Sequence, residues 1–369
     1  MLVQCFQKFS QVSGLSANTE KSSAYFGGVP REIQQQILQA NQFGKGDLPF
    51  RYLGIPLSTK RLSIIQCKPL IDKMLARIKS WTTRYLSYAG RIQLVKSVLY
   101  SIQVYWSQVF VLPKKVVQMI EAICRSFVWT GGSNLSKKAL IAWDRLCLPK
   151  AAESLNILDI YTWNWAAIGK LLWNICRKKD CLRVKWIHAY YTKAGEVWQT
   201  KTTQASRVVQ KIIKTKSMFE KIGLHETDVA AMTKYSIKDI YGAYHGEFQK
   251  APWRRMVCNN NGQPKWTFIL FLALRRKLQT KERITSWANL EDMDCVLCKQ
   301  ENEDIAHLLF ECMYAKQVWS KLLAWQSIKR EVWNWKHEER NARIFKDSSR
   351  SADQVVKKLI REVHVRARK

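Results

Sequence analysis

Cys295-Val296-Leu297-Cys298, followed by His307 and Cys312, sets out the ligand spacing C-x2-C-x8-H-x4-C. A Cys-x2-Cys turn lets two thiolates grip one metal ion, and a later His and Cys close a tetrahedron, the coordination that structural zinc prefers. All four positions are protein ligands, leaving none for water or substrate, so the expected ion is structural. His307 stands in Ile305-Ala306-His307-Leu308-Leu309-Phe310, an apolar run that places its imidazole on the inner face of a helix. The competing reading is three buried cysteines and a satisfied core histidine. The completed set outweighs it, because a lone Cys-x2-Cys is common and a closed CCHC set is not.

Outward from this knot the chain is basic. Its 369 residues carry 61 Lys+Arg against 29 Asp+Glu, a net charge of +32. The excess is greatest over residues 61–150, with 15 basic and 3 acidic side chains, so it does not lie in a detachable tail. A hydrophobic content of 47% with 16 Trp argues against long disorder. A folded, Trp-rich, strongly basic chain points to a polyanion, nucleic acid before others. Phosphate contacts are expected from Arg254, Arg255, Arg275, Arg276, Lys277, Lys281 and Arg283. Trp266 and Trp287 are either stacking platforms or core, with core packing favoured.

Outside the cluster the cysteines fall in apolar stretches, which reads as reduced, buried thiols of a cytosolic or nuclear protein. The longest apolar run, Phe268 to Leu274, is too short to span a bilayer, so no membrane role is expected. The elements are mostly helical. A hairpin is predicted over Phe50–Leu57 and a strand at Ala24–Phe26. A helix from Leu62 carries Ile64, Ile71, Met74, Leu75 and Ile78, and another after Gly90 carries Ile92, Val95, Leu99 and Ile102. A third, after Pro113, carries Val116, Ile120, Ile123 and Phe127. Residues 136–250 are helical after Trp163, with basic clusters on solvated faces. Glu338–Lys369 is an amphipathic helix with Val355, Val356, Leu359, Ile360 and Val363 as its stripe.

Several phrases, in order, resemble the C-terminal part of the reverse transcriptase of plant-type non-LTR (LINE) retrotransposons. Ser13-Gly14-Leu15 with Asn18 and Lys21-Ser22 is similar to the palm segment after the catalytic aspartates. Pro49-Phe50 with Tyr52-Leu53-Gly54-Ile55-Pro56-Leu57 is similar to the primer-grip hairpin, and Leu86-Ser87-Tyr88-Ala89-Gly90-Arg91 to the thumb side. Ala142-Trp143-Asp144 with Cys147-Leu148-Pro149-Lys150 resembles the connector. The cysteine–histidine block with Val318-Trp319 resembles the family's zinc-binding domain, and Glu339–Phe345 is a further matching phrase. The resemblance implies a fold mainly α with a small β remnant: an incomplete palm edge, a helical thumb-like bundle, a helical connector and a small CCHC zinc module. The corresponding segments are 1–60, 61–135, 136–250, 251–325 and a basic C-terminal helix over 326–369. It implies RNA or DNA as partner, with Arg91 and Lys96 on the thumb-like helix near a template–primer duplex, and no small-molecule substrate. Work on chromosomal DNA tilts the expected compartment from cytoplasm towards nucleus.

The departures bear on activity. No Asp-Asp dipeptide occurs, and two-metal phosphoryl transfer needs carboxylates to hold its ions. The family's endonuclease segment is also missing, and a Gly-rich turn expected after Lys150 reads Ala151-Ala152-Glu153-Ser154. The expectation is a non-catalytic, zinc-binding, nucleic-acid-binding remnant. Its alternatives are part of an active RNA-directed DNA polymerase whose palm is missing only from the gene model, and an inert pseudogene product.

Overall fold

A computed structural model describes residues 2–16, 18, 20, 22–41, 43–47, 50–52, 54–57, 62–81, 86–149, 152, 154–192, 196–200, 203, 205–246, 248–249, 263–327 and 351–367. The fold is mainly α, with two two-stranded sheets among the described residues. No helix among them is long and apolar enough to cross a membrane. Two compact units form, each drawing on several stretches of chain: Met1–Trp81, Lys96–Cys124 and Asp159–Glu247 in the first, Thr82–Val95, Arg125–Leu158 and Phe248–Lys369 in the second.

The first unit is organised by the Ile160–Cys176 helix, apolar on nearly every side and therefore central. Asp159 starts it by accepting from the Tyr161 amide at 3.0 Å. Leu172, Trp173 and Ile175 pack with Val209, Ile212, Ile213, Met218, Phe219, Val229, Tyr235 and Ile240 from the shorter helices around it. Burying this much apolar surface is the main stabilising contribution here. Close approach is needed at Gly169, where a Cβ would lie 2.7 Å from Tyr235 Oη and 3.1 Å from the Phe219 ring. Buried Asn164 completes its bonding: its amide donates to Ser107 O and Phe110 O, both at 2.7 Å, and its oxygen accepts from Leu112 N at 2.8 Å. It thereby closes the chain end left where Tyr100–Val109 stops short of Pro113.

The expected hairpin forms, Phe50–Tyr52 pairing antiparallel with Ile55–Leu57. The strand at the N-terminal side is shorter and earlier than expected, Ser23–Ala24, and pairs in parallel with Gly44–Lys45. The first predicted helix begins later, at Lys68 with Pro69 in its first turn, and Ile64 is exposed. Proline's fixed φ favours a helix start there and disfavours helical backbone just before it. The next helix is divided into Tyr88–Leu94, a π turn at Val95–Leu99 and Tyr100–Val109. Several basic clusters expected as solvated faces are used internally. The Arg177 guanidinium donates to Met232 O and Thr233 O, the Lys179 ammonium lies 4.2 Å from the Trp173 ring, and Lys216 donates to Trp198 O at 2.7 Å.

In the second unit Tyr88, Trp129, Phe268 and Phe271 form a chain of ring contacts with centroids 5.7–6.3 Å apart. The Pro264–Leu274 helix ends in a Schellman motif, Arg276 N donating to Ala273 O and Lys277 N to Leu272 O. That turn delivers the chain to the cysteine–histidine block. Beyond it, Met313–Trp325 packs on the C-terminal helix through Val318, Ala352 and Val356. This last helix is described from Ala352 to Ala367. Glu338–Arg350 of the expected helix, and the side chain of Val363, lie outside the described residues.

Candidate metal centre

Each ligand is brought in by a different local device. Asp294 and Asn302 form an antiparallel bridge, and between them Cys295 N donates to Glu301 O at 2.6 Å while Lys299 N donates to Cys295 O at 2.7 Å. Lys299 takes a left-handed φ of 58°, which turns the chain out of the Cys-x2-Cys loop. Asp304 then caps the next segment, its carboxylate accepting from His307 N at 2.6 Å. His307–Glu311 is a π turn rather than the expected α-helix, closed by Cys312 N donating to His307 O at 2.8 Å. In an α-helix, residues five apart diverge by more than a quarter turn; the wider π turn brings His307 and Cys312 back towards one face. The x4 spacer thus acquires its geometric reason.

The four ligand atoms all lie within 4.8 Å of one another. Cys298 Sγ is 3.2 Å from His307 Nε2, and Cys295 Sγ is 4.0 Å from Cys312 Sγ. A tetrahedron with Zn–S and Zn–N bonds of about 2.3 and 2.0 Å has edges of roughly 3.5–3.8 Å, so small side-chain adjustments fit an ion. Cys295 and Cys312 are fully buried, His307 nearly so, and Cys298 half-buried. Among the described residues this is the one group of three or more His, Cys, Asp or Glu placed to hold a metal.

The electrostatics suit a cation. The Cys312 thiol is held below its ordinary range because it accepts a hydrogen bond from Cys295, with the Ala315 and Tyr314 amides at the start of the next helix adding to this against burial. Cys295 is pushed up, first as the donor of that bond and then by burial, although the Cys298 and Leu297 amides oppose it. One proton shared between converging sulfurs is the place a divalent ion takes over.

Around the ligands runs a polar brace that sequence reasoning missed. Glu303 is fully buried, accepts from Lys281 N at 3.0 Å through its carboxylate, and donates through its own amide to Met293 O at 2.9 Å. The Lys281 ammonium pairs with Asp292 Oδ2 at 2.8 Å and donates to Asp294 O at 2.7 Å, its side chain only 14% exposed. Its position is that of a brace. The spacing of Asp304 three residues before His307 is an N-cap signal that was legible; the Lys281 and Glu303 contacts join residues too distant in sequence to show one.

The expected phosphate contacts separate. Arg276 is exposed, Lys277 and Arg283 are half-buried, and Arg283 lies 5.8 Å from the ring centroid of Trp287. Trp287 is 57% exposed, which corrects the expectation that it packs in the core; Trp266 is half-buried. Trp287 follows the four-residue Lys281–Ile284 helix and faces out because no apolar element is supplied to cover it among the described residues. Arg275 sits 5.4 Å from the Phe271 ring centroid. Arg91 is half-buried over Tyr88, donates to Val128 O at 3.3 Å, and packs where a Cβ on Gly131 would come within 2.8 Å of it. It satisfies a late carbonyl of the Lys114–Thr130 helix, as cations near helix C-termini do. Lys96 lies in the π turn at Val95–Leu99, partly buried. Arg254 and Arg255 lie outside the described residues.

With this geometry in place, comparison with known proteins gives two likenesses. The sequence model of a family described as zinc-binding in reverse transcriptase matches residues 235–319, a span containing all four ligands. A curated Arabidopsis thaliana protein, whose name assigns it provisionally as a ribonuclease H protein, is 27% identical over 128 residues. That alignment covers 35% of this chain and 21% of the relative, so the chain spans about a fifth of that protein's length. By likeness, then, the chain carries a zinc-binding segment of retroelement type.

Proposed function

We propose that the chain is a retrotransposon-derived fragment of a non-LTR reverse transcriptase that binds one structural zinc ion and, through its basic surface, single-stranded nucleic acid. The observation carrying this reading is the convergence of Cys295, Cys298, His307 and Cys312 inside the span similar to reverse-transcriptase zinc-binding segments. When bound, zinc cross-links the Cys-x2-Cys loop to the π turn and supplies no reactive coordination position. The residues around it do the rest: Asp304 fixes the turn carrying His307, and the Lys281–Asp292 pair ties the preceding segment to the loop.

Nucleic-acid contact in this reading falls to Arg276, Lys277 and Arg283, with Trp287 as a stacking platform. Arg283 already donates to Arg276 O and faces the Trp287 ring, so it contributes with that ring as a unit. Lys281, Arg91 and Arg275, tied to Asp292, Val128 O and the Phe271 ring, contribute less, as does Lys96 in its π turn. The reading assigns no nucleotide transfer to the chain, since no paired aspartates occur in it. An active polymerase of which this is one part is the second reading; the alignment, covering 21% of a longer relative, supports the greater length alone. An in-frame aromatic-x-Asp-Asp motif upstream in the gene supports that second reading, and stop codons there remove it.

The test is metal analysis of purified chain, with Cys295→Ser and His307→Ala as controls, alongside salt titration of single-stranded RNA and DNA binding. One zinc per chain, lost in both variants, and affinity falling steeply with salt are expected. Absence of metal, or binding unchanged up to near-molar salt, overturns the assignment.

A further inference from the structure

His307 Nε2 faces Cys298 Sγ at 3.2 Å, so it is the nitrogen turned towards the ligand cluster. A neutral imidazole that offers Nε2 to a metal carries its proton on Nδ1. Nδ1 is buried, and no described residue hydrogen-bonds it in line. A buried N–H without an acceptor costs free energy, so this proton needs a partner. Glu301 Oε2 lies 2.9 Å from Nδ1. The separation is that of a hydrogen bond, while the carboxylate stands off the N–H axis. The distance decides, because the Glu301 side chain is 67% exposed and a small rotation brings its oxygen into line. The backbone already fixes its origin, Glu301 O accepting from Cys295 N inside the metal loop.

From this juxtaposition we infer that Glu301 is a positioning residue of the metal centre, orienting His307 through Nδ1 so that Nε2 is presented to the ion. The inference rests on the zinc reading above and deepens it. Carboxylate–histidine–metal relays fix the ring tautomer and raise ligand basicity, and their loss typically weakens metal binding about tenfold to a hundredfold. Glu301 touches no metal itself, and its exposure makes substitution harmless to packing. Glu311, also exposed and adjacent to Cys312 in sequence, supplies a control for simple loss of negative charge near a cation.

The experiment is competitive zinc titration against a chromophoric chelator, with Co2+ absorption spectra, on the full chain and its Glu301→Ala, Glu301→Gln and Glu311→Ala variants. Glu301→Ala is expected to bind zinc about tenfold to a hundredfold more weakly. Glu301→Gln, which keeps an acceptor but no charge, should fall between. Glu311→Ala should stay within about twofold of the parent. The Co2+ complex of Glu301→Ala should retain its sulfur-to-metal bands while its ligand-field bands shift, as expected for a reoriented imidazole. Equal losses in Glu301→Ala and Glu311→Ala, or no loss in Glu301→Ala, overturn the inference. If the parent chain takes up no zinc, the zinc reading itself fails, an outcome distinct from either.

Discussion

Cys312 in the second unit and three cysteines of the first, two of them buried and one half-buried, sit in opposite surroundings. Cys67 and Cys176 in the first unit are pushed up to about 11 and about 12, and Cys124 higher still, in each case mainly because burial disfavours a thiolate. Cys312, no less buried than Cys67, is instead held down by the Cys295 thiol and by helix-start amides. Burial alone therefore makes a cysteine inert, whereas burial with converging N–H and S–H donors makes it a ligand. The same contrast governs what holds each region. Among the described residues seventeen buried hydrophobic side chains, five of them on the Ile160–Cys176 helix itself, form the first core, while five form the cluster at Cys295, two of them ligands. One region rests on apolar area; the other has too little and needs a cross-link.

The sharpest way to break this comparison is to remove the metal. Chelation, or Cys312→Ser, should unfold residues 281–325 while leaving the first unit intact, because structural zinc contributes on the order of 10 kcal/mol in small domains. Hydrogen exchange read by segment distinguishes the outcomes. Protection lost at Leu308 and Val318 but kept at Leu172 and Ile212 is expected, and uniform loss would show that the regions do not differ as argued. The reciprocal change is Phe219→Ala, fully buried against the close approach at Gly169. It should cost about 3–5 kcal/mol of first-unit stability and leave zinc affinity unaltered.

The same contrast explains what the sequence could disclose. Ligand spacing, the Phe50–Leu57 hairpin and the stripes at Ile71, Met74 and Ile78 are local patterns, and they stand where periodicity put them. The π turn at His307 was not legible, since its apolar run reads equally as α-helix and only the carbonyl–amide closure tells them apart. Nor was the fate of individual cations. Lys281 and Lys277 look alike in sequence, yet Asp292, eleven residues after Lys281, draws that one into a brace. Composition reveals that a surface is basic; which charges are already spent depends on contacts across the fold.

Alkaline titration probes the inert thiols. An unfolded thiol ionises near pH 8.5, whereas folded Cys67 and Cys176 hold their protons to about 11 and about 12. Above pH ~8.5 the unfolded chain thus binds fewer protons than the folded one, so stability falls as pH rises, by up to ~1.4 kcal/mol per unit for each thiol. Below that pH both states are protonated and the contribution is constant. Denaturant midpoints of the first unit between pH 8 and 9.5 should decline, and decline less steeply in Cys67→Ala. A flat profile would mean that burial does not set these thiols apart.

The smallest expected effect lies at Arg276, which occupies the left-handed position of the Schellman turn at φ 52°. Glycine suits this position, and a side chain there costs roughly 1–2 kcal/mol. Arg276 is exposed, so no packing gain offsets that strain. Arg276→Gly should therefore raise the stability of the second unit by up to about 1 kcal/mol, read from its unfolding midpoint with zinc bound. If this arginine is retained for phosphate contact, the same variant should weaken nucleic-acid binding evenly across sequences and reduce the salt slope by about one. Lys281→Ala should behave inversely, destabilising the brace beside the metal loop while moving the salt slope little. A chain that gains stability from glycine and loses no binding would leave Arg276 as plain strain, and would take the leading phosphate contact out of the proposed interface.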